Sequence, residues 1–123
     1  MLRPFLAVAI GSALGGMSRF AVGLLVARWW AGEFPLATFL VNVSGSFAIG
    51  LFYALTAERT AVPALWRLGF ATGFVGAYTT FSTFEYETGR LLENGAVGWA
   101  ALNVIGSVAA GFVALRLGIA LAR

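Results

Sequence analysis

A chain of 123 residues that is 60% hydrophobic and 11% charged, with a mean hydropathy of +0.89, is not a water-soluble domain. Ordinary soluble domains are about half apolar and roughly a quarter charged, and a chain this small has too little interior to hide the surplus. Its ionisable groups are eight Arg and five Glu, with no Lys, Asp, His or Cys, for a net charge of +3; that excludes thiolate chemistry, a His base, haem ligation and ordinary zinc sites.

The charges bound the apolar runs. Residues 4–27 are interrupted only by Arg19, while 34–57, 68–84 and 94–115 carry no charge at all. About 20 apolar residues cross the hydrocarbon core, with a range of roughly 17–25. The pattern therefore predicts an all-α membrane protein, a single transmembrane domain over 1–123. Its four helices are expected near 4–30, 35–57, 64–91 and 96–121. Residues 1–16 resemble a secretory signal, but apolar sequence continues past the small residues and three more spans follow, so this run is read as a span. Four spans put both termini on one side with the second connector, and that side carries Arg3, Arg59, Arg67 and Arg123, with Arg116 nearby. The opposite side carries Arg28 and Arg90, so the positive-inside rule leans toward cytoplasmic termini. A small excess of Arg at span ends suits anionic headgroups better than nucleic acid.

Helix one carries Gly11 and Gly15 four apart, a spacing that lets helix backbones approach closely in a membrane. It also carries Arg19 well inside the span, where a guanidinium must snorkel, pair or face water. Helix two presents Thr38, Asn42 and Gly45 on one face, with Ser46 at its edge. An amide at that depth needs a partner; an interhelical bond and a functional role are equally compatible with its position. Helix three reads GFATGFVGAYTTFSTFEYE, with Gly69, Gly73 and Gly76 leading into Thr79, Thr80, Ser82 and Thr83 around Phe81 and Phe84. Gly and β-branched Thr are mediocre helix formers, so a break is expected near Gly76–Thr80. Carbonyls released there could bind a cation. Helix four adds Asn103 and Ser107, one turn apart. With no carboxylate in the first, second or fourth span, the polar groups are chiefly neutral donors plus Arg19, a lining that favours an anion. Aromatic ring edges, the positive end of the quadrupole, suit an anion too. Four short helices enclose a pore poorly, and a dimer is the expected assembly.

At these residues the chain resembles the Fluc (CrcB-type) fluoride channel family. GGMSRF at 15–20, TFLVNVSGSFAIG at 38–50 and GFVGAYTTFSTFEYE at 73–87 carry the resemblance, the last most specifically. It implies a passive fluoride-selective channel that exports cytoplasmic fluoride and relieves its toxicity. The assembly implied is an antiparallel, dual-topology homodimer in the bacterial plasma (inner) membrane, with fluoride and the lipid bilayer as its other partners. It further implies Asn42 in a vestibule beside Arg19, ring edges from Phe81 and Phe84, and a hydroxyl track of Thr38, Ser82, Thr83 and Ser107. A structural Na⁺ at the dimer centre would be held by the backbone carbonyls of Gly76 and Thr79 from both copies, and Glu87 matches a position after the motif. Ala77 and Gly111 depart from the family pattern, which often has a second Gly and a hydroxyl there. The Arg bias exceeds what strict dual topology needs, leaving a fixed orientation or a second type of subunit open. The competing readings are a small proton-coupled multidrug-type exporter, which needs a carboxylate in helix one where this chain has Arg19, and a non-transporting membrane scaffold subunit. Neither is an enzyme.

Overall fold

The structure, a computed structural model, describes residues 1–57 and 61–123. Arg59 of the charge count lies outside the described residues. The architecture is all-helical, with no strand among the described residues. In chain order the elements are α1 (Leu2–Ala27), α2 (Leu36–Thr56), α3, α4 (Phe81–Glu93) and α5 (Val97–Leu121). α3 is a continuous helical rod of three windings: Ala64–Arg67, the wider π-type Leu68–Val75, and Gly76–Tyr78.

Three helices are long and apolar enough to cross a membrane: α1 with 26 residues, α2 with 21 and α5 with 25. At roughly 1.5 Å per residue they extend about 39, 32 and 38 Å, against a hydrocarbon core of about 30 Å. The broken α3–α4 rod completes a four-helix membrane protein. The first helix ends at Ala27, before Trp29 and Trp30, because Trp30 folds back and its Nε1 donates to the Phe34 carbonyl at 2.8 Å. The exterior is the apolar side. Phe5, Ile10, Leu14, Phe20, Ile105 and Phe112 are exposed, whereas Val41 and Asn103 are the largest fully buried side chains. That inversion fits lipid as the outer solvent.

Lipid tails are as apolar as Leu, so the helices are held by close packing and polar bonds, with no hydrophobic driving force between them. Glycine makes the close packing. A Cβ on Gly11 would collide with the Gly69 carbonyl oxygen, which puts α1 backbone against the π-type winding of α3. On the other side a Cβ on Gly118 would collide with the Phe47 carbonyl oxygen, and one on Gly50 with that of Leu115, mating α2 to α5. The molecule is thus two glycine-mated pairs, α1 with α3 and α2 with α5, which are also the most extensive contacts in the fold. Polar side chains cross the seam between the pairs.

Candidate functional site

The functional region is built where the third rod breaks. Gly76–Tyr78 ends at Thr79 (φ −84°, ψ 157°), and Thr80 (φ −149°, ψ 119°) is also extended before α4 begins. An interruption inside a membrane strands backbone groups, each costly unless paired. In a continuous helix the Thr80 N–H would bond the Gly76 carbonyl. Here it donates to Asn42 Oδ1 at 2.8 Å, and Asn42 Nδ2 donates back to the Thr80 carbonyl at 3.1 Å. The side-chain amide therefore pairs with Thr80 as a neighbouring peptide would. Thr80 in turn caps α4, its Oγ1 accepting the Thr83 N–H at 3.3 Å.

Two further bonds hold the end of α3, one within the α1–α3 pair and one across the seam from α2. Arg19 Nε donates to the Ala77 carbonyl at 3.2 Å, placing a cation at the negative end of the α3 dipole. The Ser44 and Tyr78 hydroxyls bond at 2.9 Å. Thr79 turns inward, its Oγ1 donating to the Val75 carbonyl at 3.0 Å.

Two cavities flank the break and share Thr80. The first, about 340 Å³, is lined by Asn42, Ser46, Gly76, Thr79, Phe81 and Phe84, among others. The Phe81 and Phe84 ring centroids are 6.0 Å apart and tilted by 46°. Phe84 is buried, while Phe81 is 74% exposed although it lines the cavity. The second cavity, about 360 Å³, gathers Arg19, Thr38, Val41, Thr83 and Glu87. Thr38 lies against the Glu87 carboxyl, whose Oε1 is buried without a hydrogen-bond partner among the described residues.

The sequence-predicted residues separate accordingly. Asn42, Phe81, Phe84, Gly76 and Thr79 meet in the first cavity, and Thr38, Thr83 and Arg19 in the second. Ser82 is exposed on α4 and lines neither cavity. Ser107 on α5 also lines neither; its Oγ donates to Asn103 Oδ1 at 3.2 Å. Three further participants fall outside the pathway, vestibule and cation-binding residues expected from the sequence. Thr80 was seen only as part of a hydroxyl cluster, and its backbone partner could not be read. Ser46, at the edge of the Asn42 face, lines the first cavity. Glu87 joins the second, and its spacing of four from Thr83 was the signal available.

Among the described residues no group of three or more His, Cys, Asp or Glu is placed to hold a metal. Backbone oxygens are the alternative. The Gly76 carbonyl has lost its Thr80 N–H to Asn42, and the neighbouring Ala77 carbonyl is occupied by Arg19. Gly76 and the extended Thr79 thus fit the oxygen donors a hard cation takes.

With this geometry in hand, comparison with known proteins is direct. The family model described as CrcB-like protein, Camphor Resistance (CrcB), matches residues 6–119. The chain belongs to the CrcB-like family. Among curated relatives, the "Fluoride-specific ion channel FluC" of Acidobacterium capsulatum is 45% identical over 93% of this chain and 91% of its own length. The "Fluoride-specific ion channel FluC 2" of Nitrobacter hamburgensis is 45% identical over 97% and 96%. A "Fluoride-specific ion channel FluC" from Solibacter usitatus is 41% identical over 97% and 98%. These relatives are named as channels, and the reading of this CrcB-like chain as no enzyme agrees with them.

Proposed function

We propose that this chain is a subunit of a fluoride-selective channel that lets cytoplasmic fluoride leave passively and so relieves its toxicity. The observation that carries the reading is the amide-clamped break of the third rod, opening onto a cavity of neutral donors and two Phe rings with Arg19 next to it. The names of relatives matched along nearly the whole chain support it.

The physics follows from the ion. Fluoride is small and strongly hydrated, so a dry path needs donors at close range to replace its water. Asn42 Nδ2 carries two hydrogens and gives one to Thr80, leaving one for the cavity. Phe81 and Phe84 offer ring edges, whose positive potential suits an anion. Arg19 supplies a fixed positive charge that concentrates anions nearby. Chloride is larger and fits a narrow path badly. An exporter that trades protons for a cationic drug needs an acid on its first helix, and α1 has Arg19 there instead.

The assembly we propose is an antiparallel, dual-topology homodimer in the bacterial inner membrane. The exposure of Phe81 at the rim of the first cavity supports it, because a second copy would complete that wall. At the centre, Gly76 and Thr79 carbonyls from both copies would hold Na⁺, which supplies charge neutralisation for converging carbonyls. The Asn42 bond to Thr80 and the Arg19 bond to Ala77 then orient the turn that presents those oxygens.

The deciding experiment is fluoride-electrode efflux from vesicles holding the purified protein. Fluoride should leave down its gradient with little chloride flux, and equal flux of both ions, or none, refutes the reading. Crosslinking of engineered single cysteines should report antiparallel subunits. A single orientation in cells contradicts the dual-topology assembly.

A further inference from the structure

One buried polar chain lies outside the break. Asn103 on α5 is 0% exposed. Its Nδ2 donates to Thr88 Oγ1 at 2.9 Å, and its Oδ1 accepts from Ser107 Oγ at 3.2 Å. Thr88 Oγ1 donates to the Phe84 carbonyl at 2.8 Å. The direction of this relay is forced. A backbone carbonyl can only accept, so Thr88 spends its one proton on Phe84 and must accept from Asn103. The amide is thereby oriented with Nδ2 toward Thr88, and Oδ1 is left to accept the proton of Ser107.

The relay matters because α4 has little else to hold it. Beyond the break, only Phe84 and Leu91 of α4 are buried. Phe84, Thr88 and Leu91 stand at i, i+4 and i+7, one stripe of one helix face. Thr88 is the polar centre of that stripe, and Asn103 is its partner on α5. An amide that is fully buried in a membrane protein is expensive unless bonded on both ends, and this one is.

We propose that Asn103 is a positioning residue of the permeation pathway: through Thr88 it fixes α4 against α5 and so sets where the Phe84 ring stands in the first cavity. The proposal rests on the channel reading, in which the Phe84 edge faces the ion. Asn103 touches neither cavity and acts only through α4. A loosened α4 lets the ring retreat, and the path then admits the larger anion more readily.

The test uses isosteric pairs in reconstituted vesicles, reading fluoride and chloride flux together with assembly by size-exclusion chromatography. Thr88→Val keeps shape and removes the hydroxyl; Thr88→Ser keeps the hydroxyl. Thr88→Val and Asn103→Leu should each lower fluoride efflux about tenfold and raise the chloride-to-fluoride ratio, while Thr88→Ser restores both. The double variant should be no worse than either single one, because both break the same link. If Asn103→Leu does not assemble, the Thr88 pair decides alone. Wild-type fluoride flux with an unaltered ratio in Thr88→Val overturns the proposal, as does an equal loss in Thr88→Val and Thr88→Ser. Wild-type vesicles that pass no fluoride overturn the channel reading itself, and the proposal with it.

Discussion

Removing the Asn42 amide is the sharpest perturbation the fold offers. Asn42→Ala deletes both bonds to Thr80, at 2.8 and 3.1 Å, and orphans one backbone N–H and one carbonyl at the break. A buried polar group left without its partner costs about 1–3 kcal/mol, so two cost about 2–6 kcal/mol if both stay dry. They do not stay fully dry, because the first cavity borders Thr80 with about 340 Å³ of space, and a water takes up only about 30 Å³. Water can rebond part of what is lost, bringing the net cost to about 1–3 kcal/mol, or roughly 5- to 150-fold in the population of the clamped turn. The expected outcome is a lowered unfolding temperature in detergent, followed by the fluorescence of the four Trp, and a fluoride efflux reduced by about the same factor. Asn42→Asp separates clamp from charge. It keeps an acceptor for the Thr80 N–H, loses the donor to the Thr80 carbonyl and places a negative charge on the path. Its stability should resemble that of Asn42→Ala while its flux falls further. An Asn42→Ala protein with the unfolding temperature and the flux of the wild type refutes the reasoning, since the break would then need no clamp.

Other perturbations address separate parts of the site. Gly11→Ala should prevent α1 from seating on α3, because its methyl would meet the Gly69 carbonyl, whereas Gly16→Ala has open space around it and should be silent; yield of assembled protein compares the two. Phe81→Ile and Phe84→Ile should both reduce fluoride flux strongly with the dimer intact, and Phe84→Ile should also lower the unfolding temperature, because Phe84 is buried and Phe81 exposed. If both are silent in vesicles, the rings are packing and nothing more. Arg19→Met should lower the efflux rate, least at high ionic strength where the Arg19 field is already screened, and its efflux measured against salt concentration checks this.

What could be read in the sequence was what local composition determines. The uninterrupted run 34–57 brackets α2 closely, the run 94–115 covers α5 as far as Arg116, through which the helix continues to Leu121, and the Gly and Thr content of 69–83 located the break that appears at Thr79–Thr80. The charge-bounded run 4–27 ends where α1 ends, at Ala27, and the helix expected near 4–30 overshoots it because Trp30 turns back to the Phe34 carbonyl. The π-type winding of Leu68–Val75 left no local sign. Its Gly69 and Gly73, four apart, carry the spacing that lets helix backbones approach closely, and α1 backbone does lie on them. The clamp was out of reach for another reason. Asn42 and Thr80 are 38 positions apart, and Arg19 and Ala77 are 58 apart. Residue type says that an intramembrane amide or guanidinium needs a partner, but only packing says which.

The two glycine-mated pairs explain why the break and the cavities occupy one place. Within the α1–α3 pair backbones touch at the glycines, and the cavity beside that contact, lined by Ala7, Ile10, Leu14, Trp66 and Phe70 among others, is apolar and offers an ion no donors. Between pairs, contact runs through side chains, and the two cavities with polar lining lie there. A helix broken at that seam exposes backbone groups to neighbours able to bond them, and each bond withdraws a proton from what an anion could use. Thr79 gives its hydroxyl proton to Val75, Ser107 gives its own to Asn103, and Ser44 is engaged with Leu40 and Tyr78. Among the described residues Arg19 spends only Nε, and Asn42 one of its two amide hydrogens. Among the described residues Ser46 and Thr83 spend no hydroxyl proton on the protein, and they line the first and second cavities respectively. Of the track expected from the sequence, Ser107 gives its hydroxyl proton to the protein, to Asn103. By proton accounting, the donors left for an anion include Asn42 and Ser46 on one side of Thr80, Arg19 and Thr83 on the other, and between them the Thr80 hydroxyl, which accepts from Thr83 and gives its proton to no described residue.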